Sequence, residues 1–224
     1  MPYKHLDERL SRRGLSVRDL DAVFVTHEHS DHVGCARQLA VQAHIPIWMS
    51  RGTYHAIGSP DLQGQLRFAK DQVPIEIGSL TLHPFTVAHD AKEPLQLKIH
   101  DGVKTLGLLT DLGHVTQHVS EQLLHLDALI LECNHDVTLL SNSRYPHFLK
   151  QRILGDYGHL SNSQAAQALA QVAHHGLMYV VAAHLSEQNN TPELALTELA
   201  AVWGDYIDRV VVADAAQGCD WLTL

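Results

Sequence analysis

An α/β fold with mixed sheets and outer helices is the class this sequence predicts, and three observations carry it. Short apolar runs bounded by turn residues, such as Ala22-Val23-Phe24-Val25 and Ala128-Leu129-Ile130-Leu131, read as buried strands. Other stretches place apolar residues at helical spacing, as Val33, Ala36, Leu39, Ala40 and Ala43 do. The two kinds alternate along most of the chain, with hairpin signals in the middle, which is the pattern of sheets covered by helices. A chain of 224 residues can bury a substantial core. No repeat, low-complexity tract or linker interrupts it, so one domain over residues 1–224 is expected.

Taken in order, residues 3–13 put Leu6 and Leu10 on one helical face and stop at Gly14. Ser16 caps a short turn reaching Leu20, and residues 21–26 form the first strand. A histidine-rich turn leads into a helix over 33–43; Pro46 follows, with a strand over 45–49 and a short helix over 50–57. Strands at 75–77 and 80–87 meet at Gly78-Ser79. Strands at 96–100 and 103–110 meet at Asp101-Gly102, a dipeptide suited to the positive φ angles of a two-residue turn. Then come a helix over 115–124, a strand over 128–131, helices over 146–154 and 161–174, and a strand over 178–183. Thr191 and Pro192 supply an N-cap and a first-turn proline for a helix reaching Trp203. Residues 209–213 and 221–224 close the chain as strands.

Composition excludes several classes. Hydrophobic residues make up 45%, as in an ordinary globular protein. No apolar run approaches the ~20 residues of a membrane span, and the charged start has no signal-peptide segment, so a cytoplasmic protein without membrane contact is expected. Cys35, Cys133 and Cys219 lack the spacing of a thiolate zinc site or a disulfide framework. A formal charge of -9 argues against wholesale nucleic-acid binding, although Arg144, Lys150 and Arg152 form one local basic group and residues 4–18 another.

The chemistry concentrates in residues 26–32, Thr-His-Glu-His-Ser-Asp-His, directly after the first strand. Imidazole and carboxylate are nitrogen and oxygen ligands that Zn²⁺ accepts and that Mn²⁺ can share. At a strand-to-helix turn, His27 and His29 project to one side while Asp31 and His32 serve a neighbouring position, so one turn can seed two metal sites. The competing reading is a set of solvated histidines with Asp31 as a helix cap, in a chain holding 18 histidines. Later candidates recur at strand ends: His89-Asp90, Asp111, Glu132 with His135, and His184. His159 stands just before a helix, in Gly158-His159-Leu160-Ser161-Asn162.

With these residues in place, the sequence resembles the metallo-β-lactamase superfamily. Residues 26–34, T-H-E-H-S-D-H-V-G, match its signature, and His89, Asp111 and His184 fall where its later motifs would be. The resemblance implies an αββα sandwich of two mixed sheets flanked by helices. It implies His27, His29 and His89 on one metal, Asp31, His32 and His184 on another, and Asp111 bridging. Histidine at position 29 implies a hydrolytic site, since the flavodiiron branch typically carries Glu there. Residues 131–136, 158–162 and 184–190 look like the YycJ/WalJ (VicX) group of DNA exonucleases, and Glu132 with His159 looks like the proton-transfer dyad of tRNase Z. Members of the group begin with a further segment containing a glycine- and serine-rich turn and a strand ending in Asp-x-Gly. This chain opens in the helix that follows, so absent first strands and an exposed sheet edge, open to self-association, are expected.

The reading that follows is a phosphodiester hydrolase, a nuclease of the 5'-3' DNA exonuclease type, with DNA favoured over RNA. Two divalent ions, Zn²⁺ or Mn²⁺ with Fe²⁺ as a further candidate, would activate a water. Asp31 would orient that water, and His159, oriented by Glu132, would protonate the leaving oxygen. Two alternatives stand beside it: a small-molecule phosphodiesterase or thioester hydrolase with the same site, and a truncated, non-catalytic metal-binding regulatory protein.

Overall fold

The computed structural model describes residues 1–224, which form two compact units: Met1–Thr86 with Ala91–Leu95, and Val87–Asp90 with Gln96–Leu224. The first unit opens with α1 (Tyr3–Arg12), stopped by Gly14 at φ +73°. A 3-10 turn over Val17–Asp19 follows with a reciprocal cap: Ser16 Oγ accepts from Arg18 N at 3.3 Å and Asp19 Oδ2 accepts from Ser16 N at 2.7 Å. Next come β1 (Val23–Phe24), α2 (Ser30–Val33), α3 (Ala36–Ala43), β2 (Ile47–Met49), α4 (Arg51–Ala56) and β3 (Leu66–Phe68). The three strands form a parallel sheet in the order β1-β2-β3, with Val23 opposite Ile47 and Ile47 opposite Leu66. Val25, Ala36, Ala40, Ile47, Met49 and Leu62 bury their side chains together beneath it, and each large aliphatic side chain among them is worth about 1.5–3 kcal/mol of burial. The hairpin β4 (Ile75–Ile77) and β5 (Leu80–Thr86) pairs Ile77 with Leu80, so Gly78-Ser79 is the expected two-residue turn.

Two features of this unit depart from the sequence reading. The helix expected over 33–43 is two helices, because Gly34 takes φ 40°, ψ -123° and breaks the ladder. A Cβ at Gly34 would stand 2.6 Å from the Met1 nitrogen, so the position requires glycine twice over. Strand β3 was not expected: Leu66-Arg67-Phe68 offers no apolar run, and it is defined by its backbone pairing to β2.

The second unit is built on β6 (Leu95–His100), β7 (Thr105–Leu109), α5 (Gln117–Gln122), β8 (Ala128–Glu132), α6 (Val137–Asn142), α7 (His147–Leu154), α8 (Asn162–Val172), β9 (Tyr179–Ala183), α9 (Pro192–Trp203) and β10 (Val210–Val212). Its strands run in the order β10-β9-β8-β7-β6. β6 and β7 are antiparallel, whereas β7, β8, β9 and β10 are mutually parallel. The register sets Leu109 beside Leu131 and Glu132 beside Ala183, so the residues leaving β7, β8 and β9 emerge at one edge. Fully buried Leu109, Leu129, Leu131, Leu169, Val180 and Leu199 hold the sheet to its helices.

The loop between β6 and β7 spans four residues rather than two, since His100 pairs with Thr105. Asp101 explains it: its Oδ1 accepts from Val103 N at 2.8 Å and Lys104 N at 2.7 Å, closing a side-chain turn that outcompetes the tight hairpin. Helix α6 was unforeseen; Asp136 caps it by accepting from Leu139 N at 2.7 Å. Residues 221–224 form no strand, and Trp221 is 68% exposed with no backbone ladder to join. No helix of the chain is long and apolar enough to cross a membrane.

Candidate metal centre

In the first unit the histidine-rich turn folds on itself. His27 is fully buried, its Nδ1 3.1 Å from Thr26 Oγ1 and its Nε2 3.1 Å from His29 Nδ1. The same threonine hydroxyl lies 3.3 Å from His32 Nδ1, and the His27 and His32 rings lie tilted at 39° with centroids 4.1 Å apart. His29 remains extended just ahead of α2, whereas Asp31 and His32 occupy its first turn, with His32 Nε2 3.4 Å from Asp31 Oδ2. Glu28 plays a different part: its Oε1 accepts from Lys92 N at 2.7 Å and fastens the turn to the 91–95 segment. Thr26, as the shared partner of two rings, is a site residue that the sequence signature contains without marking.

The second unit assembles its donors from separate strand ends. Asp111 follows β7 and His184 follows β9, both in the left-handed region at φ 57° and 58°. That conformation is uncommon for residues with a Cβ and costs on the order of 1 kcal/mol each. Between them Glu132 ends β8, with its side chain fully buried. Its carboxylate accepts five N–H groups: His184 Nδ1 at 2.7 Å, Leu160 N at 2.9 Å, His159 Nδ1 at 3.0 Å, Asp111 N at 3.1 Å and Leu112 N at 3.4 Å.

These contacts fix protonation states. An ionised carboxylate is acceptor-only, so both histidines carry hydrogen on Nδ1 and direct Nε2 away from Glu132. Burial alone would raise the Glu132 pKa, but the hydrogen bonds from His159 and His184 hold it below the usual range. Burial works against the charged form of His159, yet its bond to Glu132, helped by Asp111, raises its pKa above the ordinary imidazole value. His89 is likewise aimed: its Nδ1 donates to Gly158 O at 3.1 Å, and its ring stands 5.3 Å from that of His159. A Cβ on Gly158 would meet the Ile153 oxygen at 2.2 Å, so only glycine lets this carbonyl reach His89.

One potential ligand atom from each of Asp111, Glu132, His159 and His184 lies within 4.8 Å of the others. Glu132 does not fit as a ligand, because its lone pairs are already committed to five donors; it fits as the fixed anion behind ligand histidines. Asp111 and His184, like the imidazoles of the first unit, suit a divalent cation that takes nitrogen and oxygen. Sulfur is not part of the set. Burial, with the Glu132 charge beside it, pushes the neighbouring Cys133 thiol up to about 12. His135, three residues beyond β8, is buried and pushed down to about 4 by desolvation, so it is neutral. The predicted site residues thus gather as two sets, His27, His29, Asp31 and His32 in one unit, and His89, Asp111, Glu132, His159 and His184 in the other.

Sequence reasoning missed the asparagines that hold the second set. Asn134 Nδ2 donates to the carbonyl of His184 at 2.9 Å, pinning the strained residue. Asn162 and Asn190 exchange side-chain amide bonds at 2.8 and 2.9 Å, and Asn190 also reaches Cys133 O at 2.7 Å. They stood in the quoted motifs, but a buried amide pair has no spacing rule that reveals it.

A family model, the beta-lactamase superfamily domain, matches residues 4–181. The chain is 35% identical over 192 residues to the exodeoxyribonuclease YycJ of Bacillus anthracis, covering 84% of this chain and 72% of that protein. It is 30% identical over 223 residues to the exodeoxyribonuclease WalJ of Streptococcus pneumoniae, covering 97% and 80%. Among solved structures, the metallo-β-lactamase fold protein YhfI of Bacillus subtilis superposes with a TM-score of 0.69 at 20% identity, over 92% of this chain and 78% of that one. With its two sheets, its flanking helices and its nitrogen and oxygen donors, the chain belongs to the metallo-β-lactamase superfamily and is a metal-dependent hydrolase of that fold.

Proposed function

We propose that the chain is a phosphodiester hydrolase, a nuclease acting on DNA in the 5'-3' direction, and that its two donor sets together hold two divalent ions as one hydrolase domain. Following the superfamily signature, His27, His29 and His89 would hold one ion and Asp31, His32 and His184 the other, with Asp111 as the ligand shared between them. When bound, such ions, Mn²⁺ or Zn²⁺, would supply a water of lowered pKa and neutralise charge on the phosphoryl oxygens. The remaining work falls to the chain. Asp31, with its side chain 66% exposed, orients the attacking water. His159 gives its Nε2 proton to the departing ester oxygen, so the leaving group departs neutral. Glu132 touches no substrate; it is a positioning residue that keeps His159 protonated and turned outward.

The observation that carries this reading is the Glu132–His159 pair, a buried carboxylate holding an imidazole above its ordinary pKa beside the Asp111 and His184 donors. The exodeoxyribonuclease relatives support DNA as substrate. The test is hydrolysis of bis(p-nitrophenyl) phosphate and of labelled single-stranded DNA under added Mn²⁺, comparing the unmodified chain with His29→Ala and His159→Ala. Both variants should lose activity, with metal retained only in His159→Ala. Full activity in His159→Ala would remove the proton donor, and hydrolysis of the small diester without any cutting of DNA would favour the small-molecule hydrolase.

A further inference from the structure

Strand β6 carries a polar residue where its neighbours are apolar. Leu95, Gln96 and Leu97 are all buried, so the strand is covered on both faces, and Gln96 is 1% exposed. Its carboxamide is only half satisfied. Nε2 donates to Thr110 O at 2.6 Å and stands 3.3 Å from Thr110 Oγ1, whereas Oε1 is buried with no hydrogen-bond partner. An orphaned buried acceptor is a cost to folding, and an apolar side chain of the same length would avoid it. Stability therefore does not account for an amide at this position.

The bond that Gln96 does make lands on one particular peptide. Thr110 O and Asp111 N belong to the same planar group. Gln96 holds its oxygen end, and Glu132 Oε1 accepts from its nitrogen end at 3.1 Å. That peptide sets the backbone of Asp111, which stands at φ 57°. A half-turn of the peptide plane would relax Asp111 to the negative φ that suits a residue with a Cβ, and would turn its N–H away from Glu132. Two buried side chains at opposite ends of the plane oppose that half-turn. Glu132 is shared among five N–H groups, so the carbonyl end is the one with a dedicated partner. Held this way, Asp111 keeps its Oδ1 3.6 Å from His184 Nδ1.

We infer that Gln96 is a positioning residue, a clamp on the Thr110–Asp111 peptide that keeps the Asp111 carboxylate presented beside His184 for metal. This rests on the reading of Asp111 as a ligand and adds to it a residue that touches neither substrate nor ion. The experiment compares the full chain with Gln96→Met, which keeps the length of the side chain and loses the donor. Amide hydrogen exchange at Asp111 is read by NMR in the metal-free chain, Mn²⁺ affinity by titration calorimetry, and hydrolysis with bis(p-nitrophenyl) phosphate under Mn²⁺. The Asp111 amide should exchange about tenfold faster in Gln96→Met, the effect of one lost supporting hydrogen bond. Mn²⁺ affinity should fall by about 10–100-fold, the range seen when an outer partner of a ligand is removed. Diester hydrolysis should lose about tenfold in kcat with KM within about twofold, while the urea midpoint of the metal-free chain is no lower than before. A lower midpoint would overturn the inference, because the amide would then be an ordinary structural bond. So would exchange, affinity and kcat that all match the unmodified chain. If the unmodified chain neither binds Mn²⁺ nor hydrolyses the diester while Asp111 exchange still quickens in Gln96→Met, the ligand reading fails and the clamp stands.

Discussion

The two histidine sets are built on opposite plans. In the first unit four donors come from one turn, and their mutual contacts run through a partly exposed network around Thr26 Oγ1. In the second unit Asp111, Glu132 and His184 arrive from the ends of three parallel strands and His159 from just before a helix, and one buried anion, Glu132, organises them. A local turn can lose a member and keep its backbone. A set gathered around a buried carboxylate loses its organising charge when that carboxylate goes, because five N–H groups are left without their acceptor. Replacements should therefore separate function from stability in the first unit and damage both in the second.

The largest expected effect is Glu132→Gln. Its amide cannot accept all five donors and brings two of its own, so we expect a loss of about 3 kcal/mol or more in urea unfolding and of roughly 10²–10⁴-fold in diester hydrolysis, the range of general acid catalysis. His29→Ala should break the symmetry of that result: activity falls by a similar factor through lost metal, while unfolding of the metal-free chain changes by less than about 1 kcal/mol. Equal destabilisation by the two substitutions would collapse the contrast.

Within the second unit, His159 and His135 respond to pH with opposite signs. His159 has a folded-state pKa above its unfolded value, so its contribution to stability is fully present below about pH 6.5 and is lost as pH rises through the raised value. His135 sits at about 4 when folded. Its unfolded form binds the proton first, so stability should fall by about 1–3 kcal/mol as pH drops from 6.5 towards 4. Urea titrations of His135→Gln should show that acid-side slope flattened. An unchanged slope would mean that the ring is not held neutral by burial.

Smaller still is Asn134→Ala, which frees the carbonyl of the left-handed His184. We expect kcat to fall about tenfold with KM nearly unchanged, the signature of a shifted metal ligand and not of lost substrate binding. A KM effect alone would place Asn134 elsewhere in the mechanism. Thr26→Val should be mildest, costing about 1 kcal/mol or less for its shared hydroxyl.

The same contrast explains what the sequence made legible. Residues 26–32 announce themselves because the ligands are neighbours, and the turn that joins them is visible as an apolar run followed by a helix. The ends of β7, β8 and β9 could be identified singly, but their convergence depends on parallel register, which no local pattern encodes. Glu132 was marked through resemblance, while its fivefold acceptance depends on Asp111, Leu112, Leu160 and two rings meeting in space. Strand β3 and helix α6 were missed for the converse reason: Arg67 interrupts one apolar pattern and β-branched Val137 and Thr138 weaken the other, so pairing and the Asp136 cap decide them. At Gly34 a helical face continued in the sequence while the backbone did not.

The central claim, that the two sets act together on metal, is tested most directly by the metal-to-chain ratio. The full chain, His29→Ala and His184→Ala would each be loaded with Mn²⁺, dialysed and measured by elemental analysis. Two ions in the unmodified chain and a lower ratio in both variants is the predicted result. No bound metal in the unmodified chain, or a ratio unmoved by either substitution, would contradict it.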